Sequence, residues 1–138
     1  MSETILERDL LSISQQNMEA YMKTHDVQYV TEDAVFKNMS SGEETVGREA
    51  IANLLHFFYH VAFDAKAELI SSIITEDKAL LEANFTGKHI GALGELPATQ
   101  KEVNVPLIVS YDLENGLIKK ARIYMLDSVM MQQLGVNN

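Results

Sequence analysis

The order of patterns along this chain predicts an α+β fold. We expect a curved antiparallel sheet wrapped around N-terminal helices, with a conical pocket between the two. Three observations carry this. Apolar residues recur at helical spacing near the N-terminus and again over 47–60. From Phe63 onward the spacing changes to alternation, the mark of half-buried strands. Asn115-Gly116 then separates two alternating runs and supplies the positive φ angles of a tight hairpin turn.

Each element follows from its own residues. Leu6, Leu10, Ile13, Asn17 and Tyr21 form one stripe at three- and four-residue steps, which predicts a helix over 3–23. Thr24-His25-Asp26 breaks that pattern, and a short helical turn over 27–30 follows. A strand over 34–39, a turn at Ser40-Ser41-Gly42 and a return over 43–46 come next. The second helix, 47–60, carries Ile51, Leu54, Leu55 and Phe58 on one face and Glu49, Asn53, His56 and His60 on the other. Strands over 65–75 and 78–88 flank a turn at Glu76-Asp77. Residues 89–101, with their glycines and Pro97, read as a loop. The strand over 103–113 places Val103, Val105, Leu107, Val109 and Tyr111 on one face. The returning strand, 117–126, places Leu117, Ala121, Ile123 and Met125 on one face, with Lys120 and Arg122 on the other. A last helix over 128–134 ends at Gly135, a suitable residue to stop it, and Asp127 reads as its N-cap.

Composition narrows the function classes. The 138 residues fit one domain, 1–138, with one core. The formal charge of -9 sets up a field that repels polyanions, so no nucleic-acid partner is expected. No apolar run reaches membrane-spanning length, and the acidic start Met1-Ser2-Glu3-Thr4 is unlike a secretion signal, so no membrane partner and a cytoplasmic location are expected. The absence of cysteine rules out disulfides and thiol nucleophiles.

Three segments carry a family resemblance. Asp33-Ala34-Val35-Phe36 with Val46-Gly47-Arg48-Glu49-Ala50-Ile51 is the first. Thr86-Gly87-Lys88-His89-Ile90-Gly91 with Pro97-Ala98-Thr99-Gln100-Lys101 is the second, and Asn115-Gly116-Leu117-Ile118 with Gln133-Leu134-Gly135 the third. In order and spacing they resemble the SnoaL-like, polyketide cyclase-like branch of the nuclear-transport-factor-2-like superfamily, whose fold is a cystatin-like α+β barrel. The resemblance implies a cofactor-independent pocket protein and a homodimer paired through the outer sheet face. It also implies, for an enzyme, proton transfer beside a carbonyl, as in isomerisation or aldol cyclisation. It aligns the family's acids with Ile123 and Leu126, and their polar partners with Leu107 and Val109, none of which can move a proton. It aligns the isomerase proton carrier with Asn38, an amide.

The remaining candidates follow from residue chemistry. His89 ends a strand where a loop begins and is the acid/base candidate, since imidazole works near neutral pH. By alternation Glu82 and Asn84 face the other way. His56 and His60 have the spacing of helical metal ligands, but a solvated helix face is the preferred reading and no metal is expected. Asn17 and Tyr21 are expected to orient a ligand in an otherwise apolar pocket. Phe36, Asn38, Leu107, Val109, Ile123 and Met125 complete the expected lining. The expected ligand is a small hydrophobic or polyketide-like molecule. The rival readings are a non-catalytic binding module and an interaction domain with a filled core.

Overall fold

The alternation is strictest in the longest strand of the computed structural model, which describes residues 3–136 and the side chains from Asp9 onward. Leu6, expected on the first stripe, lies outside those side chains. β5 (Glu102–Glu114), as we number it in chain order, buries Val103, Val105, Leu107, Val109, Tyr111 and Leu113 and turns the residues between outward. Before it come α1 (Glu3–Thr24), β1 (Val30–Asn38), β2 (Glu44–Val46), α2 (Arg48–His56), β3 (Phe63–Ile74) and β4 (Lys78–His89). After it come β6 (Leu117–Met125) and α3 (Asp127–Gln133). The six strands form one sheet in the order β2-β1-β6-β5-β4-β3. All pairs are antiparallel except β1 with β6. Register shifts occur in β1/β6, in β3/β4 at Leu69/Ser71 and in β5/β6 at Asp112/Leu113. Such irregularities bend a sheet, and here they curl it around a core that includes Met18, Tyr21, Phe63 and Phe85.

Helix α1 is fastened across the curled sheet at two points. The Ser14 hydroxyl, fully buried, donates to the Glu76 carbonyl in the β3–β4 turn at 2.8 Å. The Asn17 amide donates to the Gly116 carbonyl in the β5–β6 turn at 2.9 Å. Gly116 has φ 81°, and a Cβ there would run into the Ile13 side chain. Only glycine satisfies both demands.

Several expectations need correction. Ile13 is 45% exposed, and Ser14 and Met18 join the expected Tyr21 in the buried stripe. The Asp112/Leu113 shift moves the inner face of β6, so Ile118 rather than Leu117 is buried. The second helix stops being α-helical at His56 and continues as a π-helical turn, Phe57–Val61, in which the Ala62 N–H donates to the Phe57 carbonyl. This wider turn lets Phe57, Phe58 and Tyr59 all pack against the core. Asp127 is the first residue of α3, and no side chain caps that helix. Gly135, at φ 84°, ends it as expected.

On the outer face, Asp112 accepts from Lys78 on β4 at 2.7 Å and from Arg122 on β6 at 2.9 Å. These bonds, Arg122's first, hold the Asp112 carboxyl at about 2, down from 3.8. A depressed folded-state pKa contributes stability above the unfolded value that is lost as pH falls through the folded one. We therefore expect wild type to lose stability between about pH 4 and pH 2 more steeply than Asp112→Asn. Urea unfolding at stepped pH would reveal this, and parallel curves for the two proteins would exclude it.

Candidate functional site

His89 is fully buried at the end of β4, on the concave face with Leu81, Ala83 and Phe85. Two glycines set its strand end against the start of β3. A Cβ at Gly87 would meet Ala65, and one at Gly91 would meet the Val61 carbonyl. The 90–101 loop then folds back. The His89 N–H donates to the Lys101 carbonyl, and the Gln100 N–H to the His89 carbonyl, both at 2.9 Å. This return brings Thr99 over the imidazole. The Thr99 N–H donates to His89 Nδ1 at 3.1 Å, and its hydroxyl lies 3.0 Å from the same nitrogen. That hydroxyl accepts from the Lys101 N–H at 3.2 Å, which leaves its own proton for Nδ1.

The backbone donor fixes the tautomer. A nitrogen accepting an N–H bond carries no proton, so the neutral ring bears its proton on Nε2. Nε2 is buried and meets no partner among the described residues. Phe63 packs on the ring, with centroids 5.0 Å apart. An unpartnered buried donor costs about 1–3 kcal/mol.

The other expected site residues divide into two groups. Tyr21, Phe36, Leu107 and Val109 are buried in the core. Ile123 and Met125 pack against it, half-buried. Asn17 and Asn38 do local work: Asn17 holds the hairpin turn, and the Asn38 side-chain oxygen accepts from the Ser40 N–H at 2.9 Å and the Ser41 N–H at 3.3 Å. His56 and His60 are exposed. Among the described residues, no group of three or more His, Cys, Asp or Glu side chains could hold a metal ion.

The sequence reading missed a polar cluster. Tyr21 meets Tyr111 at a ring separation of 6.0 Å and His25 at 5.4 Å, and His25 lies 4.5 Å from Tyr59. Burial raises the pKa of all three phenols, Tyr59's to about 12. Tyr21 is raised further by Tyr111 and Tyr59, and Tyr111 by Tyr59, which marks the three as close neighbours. The His25 pKa is lowered, first by burial and then by His60. Tyr111 stood on the predicted inner face, so only its hydroxyl was overlooked. Tyr59 was hidden by the π turn, and His25 by a positive φ of 55° that its residue type does not announce.

A family model described as SnoaL-like polyketide cyclase matches residues 13–134. The chain belongs to the SnoaL-like polyketide cyclase family. Solved structures agree on the fold. A SnoaL-like protein from Jannaschia sp. CCS1 superposes with a TM-score of 0.81 at 13% identity, over 94% of this chain and 96% of that one. A phenazine biosynthesis-related protein from Pseudomonas aeruginosa gives 0.81 at 16%, over 96% and 91%. A protein of ketosteroid isomerase-like fold from Catenulispora acidiphila, crystallised with trimethylamine, gives 0.71 at 16%, over 90% and 93%. A search of proteins of curated function finds no significant match.

Ile123 is half-buried opposite Val109 and Leu126 is 51% exposed. The polar atoms inside come from other walls: His89 at one end of β4 and the three phenols with His25 near α1. Two open concavities, of about 690 and 580 Å³, lie elsewhere. One includes Asp64, Lys66, Thr86 and Gln133, and the other Glu32, Arg48 and Asn53. No helix among the described residues is long and apolar enough to cross a membrane.

The tautomer can be measured directly. We expect ¹⁵N spectra to show His89 protonated at Nε2, and Thr99→Val, which keeps the backbone donor, to preserve that tautomer while costing about 1 kcal/mol of stability. A proton found on Nδ1 would contradict the assignment.

Proposed function

We propose that the chain binds a small, mainly apolar molecule bearing an acceptor oxygen, with His89 Nε2–H donating to that oxygen. The orphaned Nε2 carries this reading. The apolar wall of Phe63, Phe85, Leu107 and Val109 suits a hydrophobic or polyketide-like body. Membership of the family supports the same class of ligand. A neutral imidazole donating from Nε2 polarises a carbonyl rather than taking a proton, so His89 serves as donor and not as base. The rival, an interaction domain with a filled core, draws support from the aromatic contacts that close Phe63, Phe85 and Tyr59 on one another.

Calorimetry with acetophenone, and with ethylbenzene as the oxygen-free control, separates the two. We expect wild type to prefer the ketone and His89→Phe to bind it about tenfold more weakly, with ethylbenzene unaffected. Equal ketone binding by both proteins, with melting showing both folded, would defeat the proposal.

The partner we propose is a second copy of this chain, paired through the outer sheet face. Leu80, Ile108 and Tyr124 are 43%, 41% and 47% exposed on the three neighbouring strands β4, β5 and β6. The Lys78–Asp112–Arg122 bonds border them with both signs of charge, which a two-fold copy can complement. We expect sedimentation to give a dimer and Ile108→Glu to give a folded monomer. A monomeric wild type would refute the pairing.

A further inference from the structure

His89 and the apolar wall beside it are closed off. Neither open concavity is lined by His89, Phe63, Phe85, Leu107 or Val109. A ligand therefore reaches Nε2 only when a covering segment moves. Most of them are firmly tied. Helix α1 is bonded to two hairpin turns, through Ser14 and Asn17. Strands β4, β5 and β6 are held by their ladders. The π turn is closed by the Ala62 N–H donating to the Phe57 carbonyl.

The segment 92–98 differs. Its only hydrogen bonds among the described residues join Leu93 and Leu96 to each other, at 2.9 and 3.0 Å. They close a tight turn around Gly94, at φ 58°, where an added Cβ would have nothing within 4 Å. Glu95, the one charged residue of the segment, forms no ion pair among the described residues. What holds the segment down is the two leucine side chains, half-buried and packed against the core. Both of its ends, by contrast, are pinned beside the imidazole. At one end the Ile90 and Gly91 N–H groups donate to the Ala62 carbonyl at 2.9 and 3.0 Å, next in the chain to Phe63. At the other, the Thr99 N–H donates to His89 Nδ1, and the N–H of Gln100, at the positive φ of 62°, donates to the His89 carbonyl. A loosely bonded segment between two firm ends opens locally without unfolding the domain.

Resting on the reading of the interior as a ligand site, we propose that 92–98 is a lid, which lifts to let the ligand reach His89 and closes by reseating Leu93 and Leu96. Thr99 lies outside the moving part, so Nδ1 keeps its donor and Nε2 its proton while the lid is open. Closure returns two apolar side chains to the core and shuts water away from the bond that Nε2–H makes. The ends suit fixed hinges. A Cβ at Gly91 would meet the Val61 carbonyl, so that end stays pressed against its neighbour. Gln100 holds an angle costly for any residue but glycine, where the chain must turn back onto His89.

Hydrogen exchange on the wild-type protein, without ligand, reads the lid directly. We expect the Leu93 and Leu96 amides to exchange together, about a hundredfold faster than those of His89 and Gln100. NMR exchange with acetophenone reads its use. We expect the double variant Leu93→Ser with Leu96→Ser to bind and release acetophenone about tenfold faster than wild type. Its His89 N–H should stay protected, which shows that the end of β4 is intact. Where the double variant does not fold, Leu96→Ala alone should shift the same rates in the same direction. Leu93 and Leu96 amides that exchange as slowly as that of His89 overturn the proposal. Acetophenone rates left unchanged by the substitutions also overturn it, and the ligand site then stands. If acetophenone does not bind wild type, the ligand reading falls and the lid falls with it.

Discussion

The fold depends on how α1 is held over the curled sheet. A curved antiparallel sheet must cover its concave face, and helix packing alone would let a single helix slide along it. Ser14 and Asn17 prevent this by bonding to carbonyls in two different hairpin turns, at Glu76 and Gly116. Between them the helix can occupy only one rotation, the one that buries Met18 and Tyr21 and leaves Ile13 half outside. The polar residues on this helix thus fix orientation, while the apolar ones supply the burial that stabilises it, at about 25 cal/mol per Å² removed from water.

That orientation determines the chemistry of the interior. Tyr21 reaches Tyr111 only because α1 is turned this way. From the opposite end, the 90–101 loop folds over His89 and uses Thr99 to assign its proton to Nε2. The concave face is therefore lined by aliphatic and aromatic side chains with a few polar groups among them, His89 and the tyrosine hydroxyls. Such an environment favours a ligand with polar oxygen on an apolar body. It disfavours a permanently charged one, which would lose its hydration without a paired charge.

Much of this was legible in the residues. Alternation gave β4 and β5 to within a residue or two and put His89 on the face opposite Glu82 and Asn84. Asn115-Gly116 marked its turn, and the resemblance named the family whose model matches residues 13–134. Three of the failures share a cause. The β6 inner face, the π turn and the αL conformation of His25 all depend on an extra residue or an unusual backbone angle imposed by tertiary packing. Periodicity assumes a regular backbone, so it reads past such places. The parallel pairing of β1 with β6 was invisible for a related reason, since alternation shows which face is buried and not which way a neighbour runs.

The central claim is that His89 Nε2–H points to an acceptor the chain does not itself supply. A high-resolution crystal structure of the protein as purified tests it most directly. The account predicts density for a water or ligand oxygen within hydrogen-bond distance of that nitrogen, with Thr99 on the other side of the ring. A close-packed apolar wall against Nε2, or a protein carbonyl bonded to it, would contradict the account.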